Sequence, residues 1–197
     1  MKQIKTIIFD FDGTLADCKQ LHAIGFRRAI TTLIPNIEYK DEIVEGLPTY
    51  EKINMLRSFG HSIDGDLVSD LKQRHTIKHI TDYLVYDPKL AAMLTELSTR
   101  FHVCLASNAT KPFITRSLDI MKITHCFKHI HTATDYPAKP NTRTFLDCML
   151  KTNSTPSETL IVEDSEVGVM CARTTGCHVV QVNNVTETKL VISTLLI

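Results

Sequence analysis

The stretch that decides the fold is Ile7-Ile8-Phe9-Asp10-Phe11-Asp12-Gly13-Thr14-Leu15, where an apolar run ends in two carboxylates. The run from Ile4 to Phe9 has the length and composition of a buried strand. Asp10 and Asp12 lie two residues apart, so in extended geometry both side chains point the same way. Two like charges at this distance are unfavourable unless something such as a metal ion offsets them. A structural Asp-Gly turn is the alternative interpretation of the same residues.

Four further apolar runs follow along the chain: His102 to Ala106, His129 to Thr132, Leu160 to Val162 and Val179 to Val182. Segments with helical spacing precede or separate these runs at residues 88–98, 111–120, 141–151 and 165–174. Short apolar strands that alternate with helices indicate βαβ units. We therefore predict an α/β fold with a five-stranded parallel sheet and helices on both of its faces.

The alternation of strands and helices fails between residues 17 and 85. Amphipathic segments occupy this stretch near residues 20–33, 39–45, 49–58 and 66–82. A helical block inserted between a first strand and the rest of a sheet is typical of a cap domain. We predict a catalytic core from residues 1–16 and 86–197, with an all-helical cap at residues 17–85.

Composition limits the class of protein. Of 197 residues, 43% are hydrophobic and 22% are charged, which is ordinary for a globular chain. The 22 basic and 22 acidic residues balance, so net charge provides no general attraction to nucleic acid or anionic membranes. Six cysteines without a C-x-x-C spacing indicate free thiols. We expect a soluble, cytoplasmic protein without a secretory leader, and the sequence leaves its oligomeric state open.

Polar residues also stand beyond later apolar runs. Ser107 and Asn108 follow the second run, and Glu163 and Asp164 follow the fourth. Lys139 precedes a proline, between the third run and the next helical segment. Taken singly, each of these could belong to a turn, a loop or a helix cap. Ligands bind at the carboxyl ends of strands in parallel sheets, so together these residues predict one site.

The four motifs, in this order, resemble those of the haloacid-dehalogenase superfamily. They are D-x-D-G-T-L from Asp10, the Ser107-Asn108 pair, Lys139-Pro140 and Glu163-Asp164. The resemblance implies a Rossmann-like core, a Mg²⁺ cofactor and phosphoryl transfer through a phosphoaspartate. Hydrolysis of phosphate monoesters is among the slowest uncatalysed reactions in water, and a site of this kind accelerates it by electrostatic stabilisation.

The resemblance also implies a role for each residue. Asp10 is expected to be the nucleophile, and Asp12 to protonate the leaving oxygen and later activate water. Lys139 is expected to balance the charge of Asp10 and of the phosphate. The Ser107 hydroxyl and the Asn108 backbone N–H are expected to bind the phosphoryl oxygens.

The expected metal ligands come from the first and last motifs. The family pattern places the carboxylates of Asp10 and Asp164 on Mg²⁺, together with the backbone carbonyl of Asp12. Glu163 is expected to be a ligand directly or through water. Mg²⁺ takes hard oxygen ligands and keeps several waters, so two or three protein oxygens suffice.

Two features of the stretch 17–85 resemble the branch that contains β-phosphoglucomutases and phosphoglycolate phosphatases. His22 stands where that branch often has a histidine that begins the first cap helix. Gly46-Leu47-Pro48, followed by Glu51, resembles its substrate-specificity turn. We therefore name His22 as a candidate substrate residue of the cap.

One position departs from the mutase pattern. Sugar-phosphate mutases of this branch carry an arginine, for the second phosphate of the substrate, where this chain has Thr49. Lys52 and Arg74 are the candidate cations nearby. The departure favours hydrolysis of a monophosphate over transfer within one sugar.

The leading prediction is therefore a phosphatase for a small phosphomonoester: a sugar phosphate, a phosphoglycolate-like acid or a nucleotide. A phosphosugar mutase is the first alternative, and a nucleic-acid end phosphatase is a further one that the zero net charge does not support. Asp12 argues against a dehalogenase, because the superfamily's dehalogenases lack this second aspartate. The presence of all four motifs argues against a non-catalytic phosphate-binding protein.

Overall fold

The computed structural model describes residues 3–37 and 49–197. The chain divides into two compact units, a core unit of Met1–Cys18 with Leu84–Ile197 and a helical unit of Lys19–Tyr83. No helix in the part of the chain that the structure describes is long and apolar enough to cross a membrane.

The core unit is built on a parallel sheet whose five strands lie within the described residues. In chain order they are β1 (Thr6–Phe9), β2 (His102–Ala106), β3 (His129–His131), β4 (Thr159–Glu163) and β5 (His178–Gln181). Their order across the sheet is β3-β2-β1-β4-β5, and every pairing is parallel. The predicted fold class, an α/β core with an inserted helical block, is confirmed.

Strand β1 reads as a continuous apolar run because it lies at the centre of the sheet. It pairs with β2 on one side and β4 on the other, and all four of its residues are buried. The chain proceeds from β1 to β2 and β3 in one direction, and β4 and β5 lie in the other. The switch point is therefore at the carboxyl ends of β1 and β4, where open α/β sheets bind ligands.

Nine α-helices complete the described chain. The helical unit contains α1 (Lys19–Leu33), α2 (Thr49–Ser58), α3 (Gly65–Lys78) and α4 (Ile80–Tyr83); the core unit contains α5 (Pro88–Arg100), α6 (Lys111–Met121), α7 (Arg143–Thr152), α8 (Glu166–Thr174) and α9 (Val185–Leu196). Helices α7 and α8 cover one face of the sheet. Phe145 and Cys148 of α7 and Cys171 of α8 pack there against Ile8 of β1 and Ile161 of β4.

The helical unit has an apolar core of its own. Phe26 and Ile30 of α1 lie in it with Leu56 of α2 and Val68 of α3. The predicted segment 66–82 is two helices, because α3 ends at Lys78 and α4 begins at Ile80. The predicted segment 39–45 lies outside the described residues.

Candidate active site

The loop after β1 turns back immediately beyond Asp10. The Asp10 backbone N–H donates to the Val162 carbonyl of β4 (3.0 Å), which continues the pairing of the two strands. The Phe11 carbonyl then accepts hydrogen bonds from the backbone N–H groups of Leu15 (2.9 Å) and Ala16 (3.1 Å). The Asp10 side chain is consequently held at the carboxyl end of the sheet and is buried.

Gly13 is required in this loop for two reasons. Its φ of +88° lies in the region that side chains disfavour. A Cβ atom at this position would lie 2.0 Å from Oδ2 of Asp164, so only glycine leaves room for that carboxylate. The first and fourth predicted motifs therefore meet through this glycine.

The end of β4 supplies a second buried carboxylate. Glu163 is the last residue of the strand, and its Oε1 accepts hydrogen bonds from the Ser165 backbone N–H (3.2 Å) and hydroxyl (2.9 Å). The Ser165 hydroxyl also caps α8 by accepting from the Gly168 N–H (3.1 Å). A Cβ on Gly168 would lie 2.2 Å from Cδ of Glu163, so this glycine leaves the space that the Glu163 side chain fills.

Lys139 joins the two carboxylates. Its Nζ donates to Oδ1 of Asp10 (2.5 Å) and to Oε2 of Glu163 (2.6 Å), and it lies 5.2 Å from the centre of the Phe145 ring. All three charged side chains are at most 9% exposed. Removing one member of such a buried pair typically costs about 3–5 kcal/mol, because it leaves an uncompensated charge.

Burial and the neighbouring charges act in opposite directions on the pKa of Asp10 and on the pKa of Lys139. Burial raises the pKa of the Asp10 carboxyl well above its ordinary value, and the Lys139 ammonium opposes that rise. Burial alone would lower the pKa of Lys139, but the carboxylates of Asp10 and Glu163 outweigh it and raise that pKa. Lys139 therefore stays charged across the physiological pH range.

Ser107 and Asn108 stand at the carboxyl end of β2, as predicted from the sequence. The Ser107 N–H donates to the His131 carbonyl of β3 (3.0 Å), and its hydroxyl accepts from the Ala109 N–H (3.0 Å). The Asn108 side chain contacts the backbone of Lys139 twice. Its Oδ1 accepts from the Lys139 N–H (2.7 Å), and its Nδ2 donates to the Lys139 carbonyl (3.3 Å).

Three carboxylates could hold a metal ion. One oxygen each from Asp10, Glu163 and Asp164 can be chosen so that all three lie within 4.8 Å of one another. A set of hard oxygen donors at this spacing fits Mg²⁺ better than a soft metal. Asp12, the fourth predicted ligand, has the Cys18 thiol beside it: burial raises the pKa of that thiol, and Asp12 raises it further.

The candidate residues of the helical unit stand between β1 and β2 in the chain, and Thr49, Lys52 and Arg74 each have a contact within that unit. Thr49 begins α2, and its hydroxyl accepts a hydrogen bond from Nζ of Lys72 (2.8 Å). Nζ of Lys52 lies 5.2 Å from the centre of the Phe26 ring. His22 is half-buried on α1.

Arg74, the remaining candidate, is exposed and pairs with Asp70 one turn earlier (2.8 Å). The sequence drew attention to Lys52 and Arg74, but the cation that contacts Thr49 is Lys72. The segment Gly46-Leu47-Pro48 lies outside the described residues.

Sequence reasoning missed several residues that shape the site. The side-chain contacts of Asn108, the space at Gly168 and the thiol of Cys18 were not predicted. The sequence indicates Ser165 only as the first residue of the helical segment 165–174, and its hydrogen bond to Glu163 is not predicted. A serine two residues beyond a strand-end carboxylate was the available signal for this last contact.

Comparisons with known proteins find similar sequences and a similar fold. A β-phosphoglucomutase of Bacillus subtilis (strain 168) is 24% identical over 191 residues, which cover 91% of this chain and 83% of that protein. A phosphoglycolate phosphatase of Vibrio parahaemolyticus is 26% identical over 195 residues, covering 89% and 82%. The crystal structure of CbbY from Rhodobacter sphaeroides in complex with phosphate is similar at a TM-score of 0.74, with 18% identity and coverage of 90% and 85%.

A family profile spans both units. The profile described as Haloacid dehalogenase-like hydrolase matches residues 7–182, from the strand before Asp10 to the end of the sheet. The match contains every strand-end residue of the site and the helical unit between β1 and β2. The predicted superfamily is thereby confirmed, and the chain belongs to the haloacid dehalogenase-like hydrolases.

Proposed function

We propose that this chain is a Mg²⁺-dependent phosphatase that hydrolyses a small phosphomonoester through an aspartyl-phosphate on Asp10. The substrate classes are a sugar phosphate, a phosphoglycolate-like acid or a nucleotide. The observation that carries the proposal is the buried ammonium of Lys139 between Asp10 and Glu163. A carboxylate kept beside a permanent cation, at the switch point of a parallel sheet, is suited to attack an anionic phosphorus centre.

In the first half-reaction, a carboxylate oxygen of Asp10 forms a bond to phosphorus. The bond between phosphorus and the ester oxygen breaks, and Asp12 gives its proton to that oxygen so that an alcohol leaves. Lys139 balances the negative charge that Asp10 and the phosphoryl group bring together. The Ser107 hydroxyl and the Asn108 N–H bind the phosphoryl oxygens.

In the second half-reaction, water attacks the phosphorus of the aspartyl-phosphate. Asp12 takes a proton from the water, the bond between phosphorus and Asp10 breaks, and inorganic phosphate leaves. The sum is one phosphomonoester and one water converted to one alcohol and one phosphate. Asp12 has regained the proton that it gave up, so the site is ready for another cycle.

Asp10, Asp164 and Glu163 would hold the metal ion, together with the backbone carbonyl of Asp12. Bound there, Mg²⁺ would offset the repulsion between the carboxylates and a dianionic phosphate. Gly13 and Gly168 support this assignment, because each leaves the room that one of the carboxylates needs. We propose that the helical unit serves as the cap, with His22, Thr49, Lys52 and Arg74 as candidate substrate residues.

A phosphosugar mutase is the second candidate, and the contact between Lys72 and Thr49 favours it. That contact brings a cation to the position where the mutases of this branch have an arginine. An ammonium group lacks the planar, two-donor geometry of a guanidinium, so it grips a second phosphate less specifically. We therefore expect β-glucose 1-phosphate, if it reacts, to yield free phosphate. Accumulation of glucose 6-phosphate in ³¹P NMR spectra, primed with sugar bisphosphate, would establish the mutase instead.

The proposal is tested with purified protein and a panel of phosphomonoesters in the presence of Mg²⁺, with released phosphate as the signal. We expect activity on at least one small substrate, loss of that activity in excess EDTA and recovery when Mg²⁺ is restored. Full activity in excess EDTA would contradict the metal-dependent mechanism. Preference for a phosphorylated oligonucleotide end would favour the nucleic-acid alternative.

A further inference from the structure

We propose that the side chain of Asn108 is a positioning residue, which holds the backbone of Lys139 so that the ammonium reaches Asp10. The inference rests on the proposed function and deepens it, because that function uses only the backbone N–H of Asn108. The observation is the pair of hydrogen bonds from one side-chain amide to the N–H and the carbonyl of Lys139.

The two hydrogen bonds fix Lys139 at one end while the carboxylates fix it at the other. An amide that pairs with both backbone groups of a residue limits its displacement and its rotation. Nζ is held separately by Asp10 and Glu163. Lys139 is therefore held at both ends of a side chain that otherwise has four rotatable bonds and a large conformational entropy.

The position of Lys139 in the chain explains why such a contact is needed. Lys139 lies in the loop between β3, which ends at His131, and α7, which begins at Arg143. Loops are more mobile than the strands and helices that they connect. Asn108 directly follows β2, so its amide ties this loop to a strand of the central sheet. The next residue in the loop is held as well, because the Pro140 carbonyl accepts a hydrogen bond from the Cys171 thiol of α8 (3.1 Å).

The chemistry of the amide suits this task and leaves little for a substrate. Oδ1 serves the Lys139 N–H and Nδ2 serves the Lys139 carbonyl, so one N–H of Asn108 remains. Asparagine and glutamine carry a donor and an acceptor side by side on one planar amide, and an ionised aspartate would lack the donor. Only that remaining N–H could reach a substrate while both hydrogen bonds to Lys139 are kept.

The test compares Asn108→Ala with Asn141→Ala. Asn141 lies in the same loop, and its Oδ1 accepts from the Arg143 N–H (2.9 Å), so this control loses a similar hydrogen bond that does not involve Lys139. Asn108→Ala keeps the backbone N–H that the proposed function uses. We expect its kcat to fall about tenfold with KM changed less than about twofold, because the chemical step depends on where Lys139 lies. Asn141→Ala should keep both constants.

A double-mutant cycle separates positioning from direct action. In a Lys139→Ala background, Asn108→Ala should have no further effect on kcat/KM if Asn108 acts only through Lys139. An unchanged additional loss in that background would overturn the proposal. A raised KM with normal kcat in Asn108→Ala would also overturn it, since that result indicates contact with the substrate. Normal values of both constants would exclude any role for the side chain.

A second measurement tests the inference without an activity assay. It can therefore be used even if Lys139→Ala does not fold. The Lys139 amide proton should exchange with solvent faster in Asn108→Ala than in the unaltered chain or in Asn141→Ala, as followed by NMR. Equal exchange in all three proteins would show that Asn108 does not hold Lys139. If the unaltered chain hydrolyses no phosphomonoester while the Lys139 amide still depends on Asn108, the proposed function fails and the contact stands.

Discussion

Among the described residues, the core unit buries charged side chains and the helical unit does not. In the core unit Asp10, Lys139 and Glu163 are only 6%, 7% and 1% exposed. In the described part of the helical unit the large buried side chains are apolar: Leu21, Phe26, Ile30, Ile53, Leu56, Ile63, Val68 and Ile80. The candidate cations of that unit, Lys52 and Arg74, are half-buried and exposed.

This difference shows where a polar residue is informative. Taking a charge out of water costs several kcal/mol unless partners compensate, so a chain keeps buried charges where they serve a purpose. A lysine at the surface costs almost nothing and needs no function to persist. The motifs of the core unit therefore support a mechanism, whereas the polar residues of the helical unit become informative only through contacts such as the one between Lys72 and Thr49.

The largest effect that we expect comes from removing the charge of the nucleophile. Asp10→Asn keeps the shape of the side chain but cannot attack phosphorus, so turnover should fall on the order of 10⁴-fold or more. Steady-state release of phosphate measures the loss, and circular dichroism checks that the fold survives. Normal turnover by a well-folded Asp10→Asn protein would remove the basis for the mechanism.

A matched pair of glycine substitutions compares the two units directly. In Gly168→Ala the new methyl group meets the Glu163 carboxylate at 2.2 Å, so Glu163 must move. We expect a loss of about 1–3 kcal/mol in the free energy of unfolding and about 10²-fold in kcat. Chemical denaturation and phosphate release give the two values.

Gly65→Ala is the control in the helical unit. Its added Cβ would meet nothing closer than 3.5 Å, which is ordinary contact. Replacing a helical glycine by alanine should leave stability unchanged or raise it by up to about 1 kcal/mol, with activity retained. Equal losses at the two positions would show that the space around Glu163 has no special importance.

Lys72 tests whether a polar residue of the helical unit contributes to substrate recognition. If Lys72 recognises an anionic group of the substrate, Lys72→Met should lower kcat/KM roughly tenfold, because hydrogen bonds to charged groups contribute more than neutral ones. Lys78→Met is the control, since Lys78 is an exposed lysine at the end of the same helix, α3. Equal, small effects of both substitutions would exclude Lys72 from substrate recognition.

The smallest effect concerns a charged residue of the core unit outside the site. The Lys5 ammonium (2.7 Å) and hydrogen bonds from Thr155 lower the pKa of Glu158 to about 2. A carboxyl whose pKa is lowered on folding stabilises the fold above its ordinary pKa of about 4.5 and loses this contribution as the pH falls toward 2. Glu158→Gln should flatten the pH dependence of the thermal midpoint in that window. An unchanged slope would contradict this assignment.

The fold was predictable from the sequence to the extent that apolar runs mark the strands. The run from His102 to Ala106 is strand β2 without change. The strand predicted at Leu160 to Val162 is one residue too short at each end. Thr159 and Glu163 also pair within the sheet, but they are polar and so do not extend the apolar run. Helix α9 was not predicted, although Asn184 with Glu187 three residues later is a recognisable helix start.

The site was predictable in its charged residues and not in their surroundings. Asp10, Lys139 and Glu163 stand at strand ends or before a proline, so their meeting follows from the parallel sheet. The contacts of Asn108 depend on the distance between elements far apart in the chain, and the space at Gly168 depends on how the short turn after β4 places α8 beside Glu163. Lys72 and Thr49 belong to different helices, and no periodicity within either helix indicates that they meet.

The order of the sheet also bears on the risk that strands of different chains pair edge to edge. The two edge strands of the described sheet are β3 and β5, which stand first and last in the strand order. An exposed edge presents unpaired backbone groups that another chain can extend, and short or polar edge strands reduce that risk. Here β3 is the three residues His129–His131, and β5 begins and ends in the exposed polar side chains of His178 and Gln181. Strands β1 and β4 are buried along their whole length and lie between neighbouring strands, so these segments can pair with another chain only when the sheet itself opens.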